Sequence, residues 1–239
     1  MANNLPLLIP QPRHVEWHAG AFDLTTATVI ALGSHADEAL LFPARQLQTA
    51  IQTVCGFDVA IIKTVSLHAE HHAIRLELVE REAGAPARDA GTDDATFRKE
   101  GYHLTINADG VAITAADAAG LFYGVQTLIQ LLKTYGRRLP ACRCDDHPAL
   151  PQRGIMLDVS RGKVPTRATL ERLADVLAHY KINQLQLYTE HTFQFRSHPK
   201  IGVGCGALSA DDMIALDEAC RVRHIQLVPN LQSTGHMRH

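Results

Sequence analysis

The sequence has 239 residues, enough for one large or two ordinary domains. Hydrophobic residues make up 46% and charged residues 20% of it, which supports packed cores and excludes a disordered chain. The formal net charge is −2, from 23 basic and 25 acidic residues, so nothing in the charge balance calls for nucleic acid or an anionic membrane as partner.

No apolar run reaches the roughly 18 residues needed to span a bilayer. Met1 to Pro10 has neither a basic start nor a long apolar stretch; no signal peptide is visible, and a cytoplasmic address is the expectation. The five cysteines, Cys55, Cys142, Cys144, Cys205 and Cys220, are odd in number and form no CxxC, which speaks against a disulfide framework or zinc ribbon. Cys142, Cys144 and His147 fit no common zinc spacing and lack a fourth ligand. His68, His71 and His72 lie in HAEHH rather than HExxH and read as a polar strand edge or loop.

In chain order, Pro6, Pro10 and Pro12 mark an extended entry in which Leu7 to Ile9 pack as an edge strand. Thr28 to Leu32 is a β-branched run. Leu40, Leu41, Ala44, Leu47, Ile51 and Val54 follow helical spacing up to Gly56, with the helix starting at Pro43 so that proline falls in its first turn. Val59 to Val65 and Ala73 to Leu78 read as strands, and Glu82 to Ala95 as a loop. Tyr102, Leu104 and Ile106 alternate with polar residues, Asp109-Gly110 supplies a turn, and Val111 and Ile113 return as the second strand of a hairpin. Ala118 to Tyr135 is an amphipathic helix with Leu121, Phe122, Val125, Leu128, Ile129 and Leu132 as its buried stripe, closed by Gly136. Strands followed by a helix laid across them indicate an α+β domain over residues 1–148, with a supporting role.

From residue 149 the order becomes β-α-β-α-β. The run Arg153-Gly154-Ile155-Met156-Leu157-Asp158-Val159-Ser160-Arg161 reads as a buried parallel strand from Gly154 to Val159. Thr166 to Tyr180 is the first helix, Gln184 to Tyr188 the second strand, and a loop with Gly202, Gly204 and Gly206 runs to Leu208. Ser209 and Asp212 form a capping-box start for the second helix, which carries Met213, Leu216 and Cys220. Ile225 to Pro229 is the third strand. Each strand hands over to a polar cluster: Asp158/Arg161, Glu190/His191, then Asn230/Gln232/His236. Parallel α/β folds put their chemistry at these carboxyl ends, although a single such charge also reads as a structural salt bridge. A complete (β/α)8 barrel takes about 250 residues, and three βα units cannot close one. The sequence is therefore expected to be a fragment of a longer protein or to need a partner.

These residues resemble glycoside hydrolase family 20, the β-N-acetylhexosaminidases, over nearly the whole length. LLIPQPRHVEWHAGAFDL resembles the family's entry segment, and EGYHLTINADGVAITAADAAGLFYGVQTLIQLL the end of its small α+β domain. RGIMLDVSR is similar to its first barrel strand, HYKINQLQLY to its second, and Gly235-His236 to the end of its third-strand motif. The resemblance implies a metal-free zincin-like α+β domain over 1–148, then the first part of a (β/α)8 TIM barrel, truncated, over 149–239. It implies exo-acting removal of terminal N-acetylglucosamine or N-acetylgalactosamine by substrate-assisted retaining catalysis, without a cofactor. In that mechanism the substrate's acetamido oxygen attacks the anomeric carbon, an aspartate orients the acetamido group, and a glutamate protonates the leaving oxygen.

Carried over residue by residue, Arg153 matches the arginine that grips sugar hydroxyls, His236 the histidine that supports the acid, and Asp158 a supporting first-strand aspartate. Glu190, His191 and Asn230 complete the implied substrate-binding set. The second-strand end, Gln186-Leu187-Tyr188-Thr189-Glu190-His191, departs from the family's pattern by one place, and Glu190 is the candidate stand-in for its acidic residue. The family's third-strand acidic pair falls on the neutral Asn230 and Gln232. The catalytic aspartate–glutamate pair follows a fourth strand, so no reacting residue is expected in this sequence, and the fragment alone is expected to be inactive. The alternative is a non-catalytic carbohydrate-binding or interaction module of the same fold. The glycan substrate is the one partner implied, and the oligomeric state stays open.

Overall fold

In the computed structural model of the chain, residues 7–33, 38–67, 72–79 and 98–233 are described. His68, His71, the expected loop from Glu82 to Ala95, and His236 lie outside them. The chain divides into two compact units, Met1–Ala149 and Leu150–His239.

The first unit contains β1 (His14–Asp23), β2 (Val29–Gly33), α1 (Glu38–Cys55), β3 (Ala60–Thr64), β4 (Ala73–Leu78), β5 (Tyr102–Asn107), β6 (Gly110–Ala115), α2 (Ala118–Tyr135) and β7 (Arg138–Asp146). They build a seven-stranded sheet in the order β1-β7-β5-β6-β4-β2-β3. The sheet is mixed: β3, β2, β4 and β6 run parallel, while β5, β7 and β1 join antiparallel. The helix α2 lies across β4 to β7 and beside α1.

Period-2 alternation in the hairpin turns Tyr102, Leu104, Ile106, Val111 and Ile113 inward, onto Leu121, Phe122, Val125 and Leu128 of α2; all nine are buried. Burial of each such large side chain contributes about 1.5–3 kcal/mol. Gly124 sets the helix-to-sheet distance, since a Cβ there would meet Ile113 Cγ2 at 2.5 Å. Asp117 caps α2 by accepting from the Gly120 N–H at 2.7 Å, and Gly136 ends it at φ 65°.

Several expectations need correction. Leu7 to Ile9 form no strand; Ile9 instead exchanges two hydrogen bonds with the Gln130 side chain of α2, at 2.9 and 2.7 Å. The edge strand on this side of the sheet is β1, which pairs with β7, and neither was expected. The helix α1 begins at Glu38, and Pro43 lies inside it. An interior proline costs about 3 kcal/mol, but Leu40, Ala44, Leu47 and Ile51 are all buried along this helix and outweigh it. The hairpin turn is Ala108-Asp109, with Gly110 opening β6. The Asn107 side chain accepts from both the Asp109 and Gly110 N–H groups, and a Cβ on Gly110 would meet the Ala73 carbonyl at 2.7 Å.

The sheet face away from α2 is polar. His103 is hydrogen-bonded through Nδ1 to Asp145 and through Nε2 to the Thr105 hydroxyl at 2.8 Å, while Arg143 Nε donates to Asp145 at 3.0 Å. Pairing register explains the cluster: His14, Asp145 and His103 form one row across β1, β7 and β5, and Glu16, Arg143 and Thr105 the next.

The second unit contains β8 (Gly154–Asp158), α3 (Arg167–His179), β9 (Gln184–Tyr188), α4 (Ala210–Arg221) and β10 (Gln226–Val228). Its three strands are parallel, in the order β10-β9-β8. Leu185 and Leu187 are buried on the helix side, with Leu170, Ala174, Leu177 and Leu216. Thr166 caps α3, and the Ser209–Asp212 capping box is present at α4. The expected fully buried strand is half-buried: Ile155 and Leu157 alternate with exposed Gly154, Met156 and Asp158. Met156 is 61% exposed, because the face it shares with Gln184, Gln186, Tyr188 and Gln226 is uncovered among the described residues.

Candidate functional site

All three strands of the second unit end on one rim, and the residues just past those ends build the site. Asp158 is the last residue of β8. Its Oδ1 accepts from the Ser160 N–H at 2.8 Å, which folds the chain back and brings Arg161 round to Oδ2 at 2.5 Å. From β9, Glu190 reaches the same guanidinium: Arg161 donates through its second terminal nitrogen to Glu190 Oε1 at 2.8 Å. Tyr188 lies beneath, its ring 4.8 Å from the guanidinium carbon, and its hydroxyl donates to Glu190 Oε1 at 2.9 Å. Ser160 and Thr192 tie the two strand ends together below the cluster. Their hydroxyls are 3.0 Å apart and buried, and Ser160 Oγ accepts the Glu190 N–H at 2.8 Å.

The electrostatics follow. The Ser160 N–H and the Arg161 guanidinium hold the Asp158 carboxyl below the usual carboxylate range. Hydrogen bonding to Tyr188 and Asp158 makes the Arg161 cation harder still to neutralise. Glu190 is only 7% exposed, whereas the Arg161 side chain is 55% exposed. The arginine is thus held from below by two carboxylates and an aromatic face while still open to solvent, and can offer further donors to a ligand.

The third strand joins the same rim. The Thr189 N–H donates to the Asn230 carbonyl at 3.1 Å, and the Gln232 N–H to the Thr189 carbonyl at 2.9 Å. Asn230 donates to Met156 Sδ at 3.8 Å and accepts from Gln232 Nε2 at 2.8 Å. His191 is half-buried beside Glu190.

Arg153 does not belong to this cluster. It precedes β8, and Arg161 follows it, so about 16 Å of strand separates the two ends. Arg153 donates through Nε to the Lys181 carbonyl and through a terminal nitrogen to the Leu150 carbonyl, both at 2.8 Å, and its N–H donates to Asn183 Oδ1. Its fork is absorbed in closing the amino-terminal ends of β8 and β9. Arg153 and Glu190 therefore stand at opposite ends of the sheet, and do not share one hollow. The residues that the resemblance to the family did not single out are Arg161 as the rim cation and Tyr188 as its support. The rule that parallel sheets act at their carboxyl ends already pointed to Arg161.

Among the described residues, no three potential metal ligands gather, and no helix is long and apolar enough to cross a membrane.

Fold and rim together define an α/β protein with a held, solvent-open arginine at the carboxyl ends of a parallel sheet. The family profile described as glycosyl hydrolase family 20, domain 2, matches residues 5–147, and the chain belongs to that family. It is 28% identical to the N,N'-diacetylchitobiase of Vibrio harveyi, over 97% of this chain and 27% of the relative. It is 31% identical to a β-N-acetylhexosaminidase of Cellulomonas fimi, over 65% of this chain and 35% of the relative. Among solved structures, the family 20 β-N-acetylhexosaminidase of Streptomyces coelicolor A3(2) superposes with a TM-score of 0.77 at 26% identity, covering 96% of this chain and 47% of that one. A mutant Streptomyces plicatus β-hexosaminidase in complex with product GlcNAc gives 0.76 at 26% identity, with coverages of 99% and 48%. The chain thus spans about a third of these curated relatives and about half of these solved structures.

Proposed function

We propose that the chain is part of an exo-acting β-N-acetylhexosaminidase that releases terminal N-acetylglucosamine or N-acetylgalactosamine by substrate-assisted catalysis. The first unit is then the metal-free zincin-like support domain, and the second the opening βα units of a (β/α)8 barrel. The observation that carries this reading is the held but open Arg161. A guanidinium fixed by Asp158, Glu190 and Tyr188 presents donors in one plane, and adjacent sugar hydroxyls accept such a pair without any rearrangement of the protein. Arg161 takes the gripping role that the resemblance assigned to Arg153. Glu190, His191 and Asn230 flank the bound sugar, and His236 supports the acid. The aspartate that orients the acetamido group and the glutamate that protonates the leaving oxygen come from a continuation of the chain. No cofactor takes part.

The test uses the protein at its natural length with a chromogenic β-N-acetylglucosaminide. Arg161→Ala is expected to lower kcat/KM by about 10²- to 10³-fold, since a transition-state contact to a charged donor of about 3–4 kcal/mol is lost. Arg153→Ala is expected to change stability far more than kcat/KM; the reverse ranking would overturn the assignment. A second reading is favoured by the neutral Asn230 and Gln232, which hydrogen-bond to each other where the family carries acids: a binding module that has lost the reaction. Calorimetric binding of N-acetylhexosamine without cleavage would establish it.

A further inference from the structure

The face of the first unit's sheet that turns away from α2 carries a run of directional hydrogen bonds that the rim does not use. Asp145 accepts through Oδ1 from His103 Nδ1 and through Oδ2 from Arg143 Nε at 3.0 Å, and the Thr105 hydroxyl stands 2.8 Å from His103 Nε2. A carboxylate can only accept, so a neutral His103 ring carries its proton on Nδ1 and leaves Nε2 to accept from Thr105. The order is hydroxyl, imidazole base, orienting carboxylate. That arrangement activates an oxygen nucleophile, and it is recognised by geometry and roles rather than by fold. Backbone register holds it in place. His103 pairs with Asp145, and Thr105 with Arg143, across the ladder between β5 and β7. Directly paired residues have Cβ atoms about 4.5–5.5 Å apart. The guanidinium therefore starts beside the nucleophile, with Nε tied to Asp145 and the side chain 55% exposed. It supplies the positive donor that a tetrahedral oxyanion needs.

The setting identifies the ligand class. His14, Glu16 and Arg143 around the cluster are exposed, while His103, Thr105 and Asp145 are half-buried. Such a sheet face admits a small acyl group and gives a long chain no slot to lie in. We propose that Thr105, His103 and Asp145 form an acyl-transfer site for small carboxylic esters, with Arg143 as its oxyanion donor. Thr105 Oγ1 bonds to the ester carbonyl carbon while His103 Nε2 takes the hydroxyl proton. The C–O bond to the alcohol then breaks, and the alcohol leaves with that proton. Water repeats the sequence on the acyl-threonine, which releases the carboxylic acid and restores the Thr105 hydroxyl. This activity is separate from the sugar chemistry of the rim and does not depend on it.

The experiment is incubation of the natural-length protein with p-nitrophenyl acetate. Release of p-nitrophenol is followed by absorbance, and acetylated residues are mapped by peptide mass spectrometry after an acid quench. Thr105 is expected to carry an acetyl group at early times. His103→Gln should slow its acetylation by about 10²-fold, the usual worth of a positioned general base. Thr105→Val, which keeps the shape of the side chain, should remove the share of release that passes through residue 105, and Thr105→Ser should keep it, with the acetyl group on the serine. Circular dichroism checks that each variant is folded; where Thr105→Val is not, the native map and Thr105→Ser decide, and absence of acetyl at residue 105 in both overturns the proposal. Acetyl groups confined to other residues, Thr105 acetylation unchanged in His103→Gln, or release unchanged in Thr105→Val also overturns it and leaves the cluster as a cross-strand polar ladder.

Discussion

Replacing Glu190 by glutamine tests the rim cluster most directly. The substitution keeps the shape and removes the charge at a group that is 7% exposed. In the native protein, Glu190 Oε1 accepts from Tyr188 at 2.9 Å and from Arg161 at 2.8 Å. A glutamine cannot serve both: if its oxygen takes them, the pair loses its charge assistance, and if its amide faces them, donor meets donor. Hydrogen bonds to charged groups contribute about 1.5–3 kcal/mol each, and breaking a buried pair costs about 3–5 kcal/mol. Arg161, 55% exposed, recovers part of this by turning to water. A net loss of about 1–2 kcal/mol follows, or roughly 5–15 °C in Tm for a unit of this size. Sugar affinity should fall about tenfold as the guanidinium loses its orientation. Differential scanning calorimetry and sugar titration read the two effects. An unchanged Tm with unchanged affinity would refute the claim that Glu190 holds Arg161.

Three further outcomes follow from the first unit and from the thiols. Tyr102→Phe should cost about 1–3 kcal/mol in chemical denaturation, because the buried phenol bridges Thr127 at 2.7 Å and Asp146 at 3.2 Å and both buried groups lose that hydrogen bond. Burial pushes the Asp145 carboxyl up, but the His103 hydrogen bond and Arg143 outweigh it and leave the carboxyl below the usual range. Its stabilisation is therefore full above the unfolded carboxylate pKa of about 4 and lost as pH falls through the lower folded value; Asp145→Asn should flatten the acid limb of a Tm-against-pH curve. In thiol titration of the native protein, exposed Cys205 should react first, while buried Cys142 and Cys220, pushed up to about 11 by burial, should react only on unfolding.

Legibility in the sequence followed locality. The hairpin, α2 and the capping box at Ser209 could be read because each is set by residues within a few positions of one another. The rim could be read as three strand-end clusters for the same reason. Strands β1 and β7 could not, because they pair with each other across some 130 residues, His14 with Asp145, and β7 pairs with β5 across some 40. Pro140 also breaks the strand signal in β7, yet it sits where the register shifts between Trp17 and Ala21, a place that tolerates a missing N–H. The two arginines flanking the β8 motif look alike in sequence. Strand direction separates them, placing Arg153 among backbone carbonyls at one end and Arg161 between two carboxylates at the other.

The strand order of the first unit carries a consequence for how the protein is made. Because β7 slots between β1 and β5, β1 has no hydrogen-bonded neighbour in the sheet until β7 is synthesised. At about 5–20 residues per second, β1 waits on the order of ten seconds, with its edge groups bare, before β7 arrives. The same arrangement brings the entrance and exit of the unit to adjacent strands. It can therefore complete itself as one closed module while the rest of the protein is still being translated.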